Sequence, residues 1–206
     1  MQKKIVMALA VGVLLASFNA YAEGNWLVRV RAVNLDMENK SDAIPALAVP
    51  ADAIHVSNKL IPEVDISYFF TKNIAAELVL TIPQKHDVSV SGTNIGTFKH
   101  LPPTLTLQYH FLPDQKFQPY VGAGINYTRI SSVSLNIPGV GALDLDSSSI
   151  GGALQAGLDV EVGKNTYLNL DVKKIYIDSD LKLGGAKVSH LKLDPVAIGI
   201  GFGWKF

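Results

Sequence analysis

The sequence predicts an all-β fold, an eight-stranded antiparallel up-and-down transmembrane β-barrel, from three observations. First, the chain stops on VAIGIGFGWKF (196–206), in which Val196, Ile198, Ile200, Phe202, Trp204 and Phe206 alternate with Ala197, Gly199, Gly201, Gly203 and Lys205. Successive side chains of a strand point to opposite faces, so this segment carries one continuous apolar face that needs an apolar medium. Second, seven earlier segments repeat the same alternation. Third, the chain opens with an export leader and then has no apolar run of about 18 residues, the length a membrane helix needs. A chain that crosses lipid without helices must close into a barrel, because each unpaired edge group in hydrocarbon costs several kcal/mol.

The leader is MQKKIVMALAVGVLLASFNAYA (1–22): two lysines, an apolar run from Ile5 to Phe18, and Ala20-Tyr21-Ala22 in the small-x-small arrangement of a cleavage site. It is too short and wrongly flanked for a membrane anchor. A cleaved signal peptide over 1–22 and a single barrel domain over 23–206 are expected, delivered to the bacterial outer membrane. Losing Lys3 and Lys4 with the leader takes the 18 basic residues to 16, against 18 acidic ones. That balance gives no electrostatic footprint for nucleic acid. The absence of cysteine excludes disulfides and thiolate metal sites.

The elements follow in order. NWLVRVRAVNL sets Trp26, Val28, Val30 and Ala32 on one face against Leu27, Arg29, Arg31 and Val33, and the arginines fix the second face as the interior. PEVDISYFF sets Val64, Ile66, Tyr68 and Phe70 against Glu63, Asp65, Ser67 and Phe69. After a turn at 71–73, IAAELVLTI places Glu77 inward. TLTLQYHF places Leu105, Leu107, Tyr109 and Phe111 outward. PYVGAGINYT contributes inward Gly122 and Gly124. IGGALQAGLDVEV contributes inward Gly151, Gly157 and Asp159, and YLNLDVKKIYI inward Asp171 and Lys173. Lys174 falls on the lipid-facing phase, which calls for snorkelling or a bulge.

Eight strands put both termini on one side, and short turns after strands two, four and six oppose long loops at about 36–59, 83–101, 130–148 and 178–194, the asymmetry of outer-membrane barrels. Outward aromatics cluster on the short-turn side as an interfacial girdle. A soluble sandwich would show Lys, Glu and Asp on its polar face. Here that face is mainly Gly, Ala, Ser, Thr and Asn.

A barrel of eight strands holds side chains or one small ligand and leaves no wide aqueous pore. Inward Gly122, Gly124, Gly151, Gly157, Gly199 and Gly201 either leave space for a solute or permit tight curvature. Arg29, Arg31 and Lys173 facing Glu63, Asp65, Glu77, Asp159, Glu161 and Asp171 predict a lumen ion network plugging the periplasmic half, since lone buried charges cost several kcal/mol. DAIPALAVPADAI (42–54) and LNIPGVGALDL (135–145) are apolar where external loops should be polar, as in a binding funnel or a self-packed lid. Pro83, Pro102 and Pro103 remove backbone donors where strands three and four meet. No Ser-His-Asp or metal-ligand spacing is present, so no catalytic residue, metal or cofactor is assigned.

LPPTLTLQYHF (101–111), FQPYVGAGINYT (117–128), IAAELVLTIPQKH (74–86) and LDPVAIGIGFGWKF (193–206) together resemble the OmpW family of small outer-membrane proteins, over nearly the whole mature chain. The resemblance implies a narrow, hydrophobic passage for small apolar compounds, with a lateral exit into the bilayer near the prolines. It also implies that Phe206 is the C-terminal signal read by the barrel-assembly machinery. The expected partners are therefore the lipid bilayer, small hydrophobic solutes and that machinery. A sealed structural or adhesive barrel, meeting partners through its loops, is the alternative.

Overall fold

The computed structural model describes residues 24–206; the leader assigned to 1–22 lies outside the described residues. The strands are β1 (Trp26–Asp36), β2 (Lys40–Ser41), β3 (Ile54–Val56), β4 (Lys59–Phe69), β5 (Ile74–Thr81), β6 (Gln84–Val90), β7 (Thr93–Leu101), β8 (Thr104–His110), β9 (Phe117–Ile137), β10 (Gly141–Leu145), β11 (Ser148–Gly163), β12 (Thr166–Ile175), β13 (Asp178–Leu183), β14 (Ala186–Lys192) and β15 (Val196–Lys205). Eight of them close a ring in the order β1, β4, β5, β8, β9, β11, β12, β15 and back to β1, every neighbour antiparallel. Closure is made by β15 against β1, from Lys205 opposite Leu27 to Val196 opposite Asp36. Phe206 continues this pairing, its N–H donating to Trp26 O at 2.8 Å and its carbonyl accepting from Trp26 N at 3.2 Å.

The alternation read from the sequence sets the two faces. Leu105, Leu107, Ile125, Ile150, Ile198 and Ile200 are exposed on the outside, where hydrocarbon replaces water, while their strand neighbours are inward. At the short-turn end, Trp26, Tyr68 and Phe70 form a run of contacting rings, and Tyr109 stands edge-on to Phe111. Such amphipathic rings sit at headgroup depth. Lys174 needs no bulge, because β12 runs in continuous register with β15 from Thr166 to Lys174. Its Nζ instead reaches Glu38 Oε2 and Asp194 O, both at 2.6 Å, so the long side chain carries its charge to the outer rim.

The long external segments differ from the expected loops. Three of them are β-hairpins that extend the wall outward: β6 pairs with β7, β7 with the upper part of β9, β10 with β9 and β13, and β13 with β14. The first, 36–59, is no hairpin: its short β2 joins β14, its β3 joins β6, and a 3-10 turn at Pro45–Leu47 lies between them. The apolar residues of 42–54 and 135–145 are likewise not a water-facing patch. Ile44, Ile54, Leu135, Leu143 and Leu145 are buried and pack with Val33, Leu35, Ile61, Phe98 and Leu181 in one cluster. The period of two simply continues past the membrane, so the apolar phase of each hairpin turns into the shared interior.

Candidate functional site

The interior has three storeys, legible along β1 alone, whose inward residues run Leu27, Arg29, Arg31, Val33 and Leu35. At the periplasmic end Leu27, Phe69, Ala75 and Tyr167 form a small apolar floor. Above it lies a charged layer. Arg29 grips Asp159 through two bonds, Nε to Oδ1 at 3.1 Å and Nη2 to Oδ2 at 2.6 Å, and Glu77 Oε2 through Nη1 at 2.7 Å. Arg31 meets Glu63, Asp65 and Asp171, and its Nη2 stands 3.7 Å from Glu77 Oε1. Lys173 Nζ bridges Asp171 Oδ1 at 2.6 Å and Glu63 Oε1 at 3.1 Å. Tyr120 OH and Gln155 Nε2 each donate to Asp171 Oδ2 at 2.7 Å, and Gln155 also donates to Glu77. No charged side chain of this layer is more than 5 % exposed.

Eight of the nine charged residues read as inward thus stand in one web; the ninth, Glu161, is exposed near the β11–β12 turn and takes no part in it. The web occupies the middle of the barrel rather than its periplasmic half alone. Its position also accounts for the glycines, which do not border open space. A Cβ at Gly124, Gly151 or Gly201 would fall about 2 Å from a backbone carbonyl oxygen of a neighbouring strand, those of Leu105, Tyr176 and Val30. At Gly157 it would strike the Tyr120 ring at 2.3 Å, at Gly122 the Gln155 and Gln108 side chains, and at Gly199 those of Val33 and Arg31. These glycines admit close strand approach and the bulk of the web.

The third storey is the apolar interior of the hairpin extension, and its wall is interrupted where β5 and β8 give way to β6 and β7. The ladder between β5 and β8 ends at Val79 opposite Thr104, and the one between β6 and β7 begins at Gln84 opposite His100. Between them lie 80–83 on one side and 101–103 on the other, with Pro83, Pro102 and Pro103. The carbonyls at this break are capped by side chains from their own side. Gln84 Nε2 donates to Ile82 O at 2.8 Å, Thr104 Oγ1 to Pro102 O at 3.1 Å, and Asn126 Nδ2 to Pro102 O and Pro103 O at 3.2 and 3.1 Å. Gln84, Thr104 and Asn126 are all buried. Sequence reasoning found the prolines and missed the caps; inward Thr and Asn beside a Pro-Pro pair were the available signal.

A ring of eight antiparallel strands with an aromatic girdle and hairpins raised on one side is the architecture of small outer-membrane barrels. The family model described as "OmpW family" matches residues 22–206. The chain belongs to the OmpW family. An outer-membrane protein of Sinorhizobium fredii, y4mB, is 42% identical over 88% of this chain and 80% of its own. Outer membrane protein W of Escherichia coli K12 is 34% identical over the full length of both. The crystal structure of outer membrane protein OprG from Pseudomonas aeruginosa superposes with a TM-score of 0.77 at 27% identity, covering 91% of this chain and 98% of that one. A Pseudomonas aeruginosa relative, 26% identical over 93% of each chain, is named as a dibenzothiophene metabolism operon protein. Like other OmpW-family proteins, this one is a barrel of the bacterial outer membrane.

Proposed function

We propose that this OmpW-family barrel lets small hydrophobic molecules leave water, enter the apolar interior of its extension and pass sideways into the outer leaflet. The observation that carries the reading is the interrupted wall at 80–83 and 101–103, whose carbonyls are capped by Gln84, Thr104 and Asn126. Uncapped, the buried Pro102 carbonyl would cost about 1–3 kcal/mol, whereas Pro103 O also accepts from Tyr127 N at 3.1 Å. The caps make the break a stable feature of the wall instead of a defect that hydrogen bonding would close. Its position matters as much. Directly below lies the charged web, which an apolar solute cannot cross without separating buried ion pairs, a cost of several kcal/mol. Transfer from water into the apolar storey, by contrast, is favourable by roughly 25 cal/mol for each Å² of apolar surface buried. The downhill course for such a solute therefore runs in from above and out through the side. The name of the dibenzothiophene operon relative agrees with an apolar cargo.

The test is uptake into liposomes holding the folded barrel, comparing an apolar compound with a sugar of similar size. The parent protein is expected to speed the first and not the second. Pro83→Val combined with Pro102→Val, which returns two donors to the break, is expected to slow apolar uptake several-fold while the barrel stays folded. Equal rates for parent and variant would remove the lateral route. No accelerated uptake at all would leave a sealed barrel that acts through its external hairpins.

A further inference from the structure

The apolar storey is filled by side chains of the surrounding strands, among them Val33, Leu35, Phe98, Leu135 and Leu181, and by Ile44, which stands on the connection between β2 and β3. That connection is built as a unit of its own. Pro45–Leu47 form a single 3-10 turn, and Ala48 ends it in the left-handed region at φ 52°. Ile44 N donates to Val49 O at 2.8 Å and Val49 N returns a bond to Ile44 O at 3.2 Å, while Leu47 N donates to Ile44 O and Ala48 N to Pro45 O. The hydrogen bonds of residues 43–51 thus stay within the segment. Its two ends are tied to each other, Ser41 N donating to Asp52 Oδ1 at 3.0 Å and Asp52 N to Ser41 O at 2.9 Å. They are also tied to the wall: Asp42 N donates to His190 O, Asp42 O accepts from Ser189 Oγ, and Ala53 O accepts from Ser91 N in the turn between β6 and β7. Between these ties the segment holds the barrel by apolar contact alone, through buried Ile44 and half-buried Leu47 and Val49.

We propose that residues 43–51 form a strap hinged on the Ser41–Asp52 clamp, and that a hydrophobic solute gains the apolar storey by displacing it and taking the place of Ile44. This inference rests on the lateral-passage reading and adds where the solute finds room above the charged web. The physical reason lies in what the motion breaks. Lifting the strap keeps its internal hydrogen bonds and the clamp, and gives up only the burial of Ile44, Leu47 and Val49, an attraction without direction that scales with apolar area. A wall strand leaving the same interior would break a ladder of backbone hydrogen bonds instead. An apolar solute in the vacated space restores the lost burial, so it binds the lifted form better than the seated one and shifts the population toward it. A sugar restores nothing there, and the strap stays down. From Ala43 to Ala51 the strap has no charged residue, so reseating it carries no charge into the apolar storey. A hollow of about 290 Å³ bordered by Ala51, Asp52, His190 and Lys192 lies beside the clamp and gives the hinge room to turn.

The chain has no cysteine, so a single introduced thiol reports on one position. Ile44→Cys and Leu181→Cys place it at two buried points of the same cluster, the first on the strap and the second on β13. Each folded barrel, in lipid nanodiscs, is treated with a water-soluble maleimide. The thiol at 44 is expected to react about tenfold faster than the one at 181, because the strap opens locally and the wall does not. Toluene is expected to speed the reaction at 44 several-fold and saturably, and glucose to leave it unchanged. Ile44→Asp, which penalises the seated strap and leaves the wall strands untouched, is expected to raise toluene uptake into liposomes several-fold at low toluene concentration. Equal labelling at 44 and 181, or a rate at 44 indifferent to toluene, overturns the strap. Where the parent barrel transports toluene, a folded Ile44→Asp barrel that transports it no faster does the same. The labelling comparison decides the matter even if Ile44→Asp does not fold. Toluene-dependent labelling without uptake by the parent leaves the strap standing and the passage refuted, and uptake without such labelling does the reverse.

Discussion

Among single residues, Arg29 has the largest predicted effect. It holds two carboxylates and Ser67 Oγ within the closed interior, so a methionine there leaves Asp159 and Glu77 without their main counter-charge. Breaking one side of a buried pair typically costs about 3–5 kcal/mol. Arg29→Met is therefore expected to lower the unfolding free energy of the barrel in lipid vesicles, read from urea titration, by that amount. Asp65 offers the contrast. The web holds five carboxylates, Glu63, Asp65, Glu77, Asp159 and Asp171, against three cations, and Asp65 meets Arg31 alone with no hydrogen bond satisfied. Removing a charge from the side in excess is mild, so Asp65→Asn is expected to destabilise much less than Asp159→Asn. Equal losses for the two would show that the web is not organised by charge balance.

Among elements, the β6–β7 hairpin is the segment whose stability responds to mild acid. His100 in the folded hairpin is lowered to about 3 by burial beside His86, against an ordinary value of 6.5. Between those limits the unfolded segment binds a proton that the folded one refuses, so stability falls as pH drops from about 6.5 toward 3. His86, lowered for the same cause, adds to the slope in the same direction. Hydrogen exchange across 84–101, corrected for intrinsic rates, is expected to accelerate more from pH 7 to pH 4.5 than in the short turn at 163–165. His100→Phe should remove a large part of that difference. A hairpin exchanging alike at both pH values would mean that the stacked rings of His86 and His100 do not govern local opening.

For the whole molecule, closure depends on the last strand meeting the first. Phe206 extends this seam by two backbone hydrogen bonds with Trp26, and its terminal aromatic matches the signal that the assembly machinery is expected to read. Deleting Phe206 is expected to reduce the amount of barrel recovered from outer membranes, measured as the heat-modifiable band on gels, while export across the inner membrane continues. Undiminished recovery would assign Phe206 to the seam alone.

The strand count, the side each residue faces and the inward placement of Arg29, Arg31, Glu77, Asp159, Asp171 and Lys173 could all be read from an alternation of period two. That pattern is local: once one residue of a strand is known to face lipid, the pleat fixes the rest. The same rule extended to 135–145 would have turned Leu135, Leu143 and Leu145 inward, as they are; 42–54 is not a strand but carries a 3-10 turn at Pro45–Leu47, and alternation does not describe it. Other features depend on which strands meet and in what register. Arg29 and Asp159 are 130 positions apart and come together only when the ring closes. Gly124 and Gly201 resemble space-leaving residues in a line of text, yet each lies against a neighbouring carbonyl because the strands coil tightly there. The prolines marked where donors were missing. That the gap is held open by Gln84, Thr104 and Asn126, with the stacked histidines at its edge, follows from contacts between strands, which no single segment encodes.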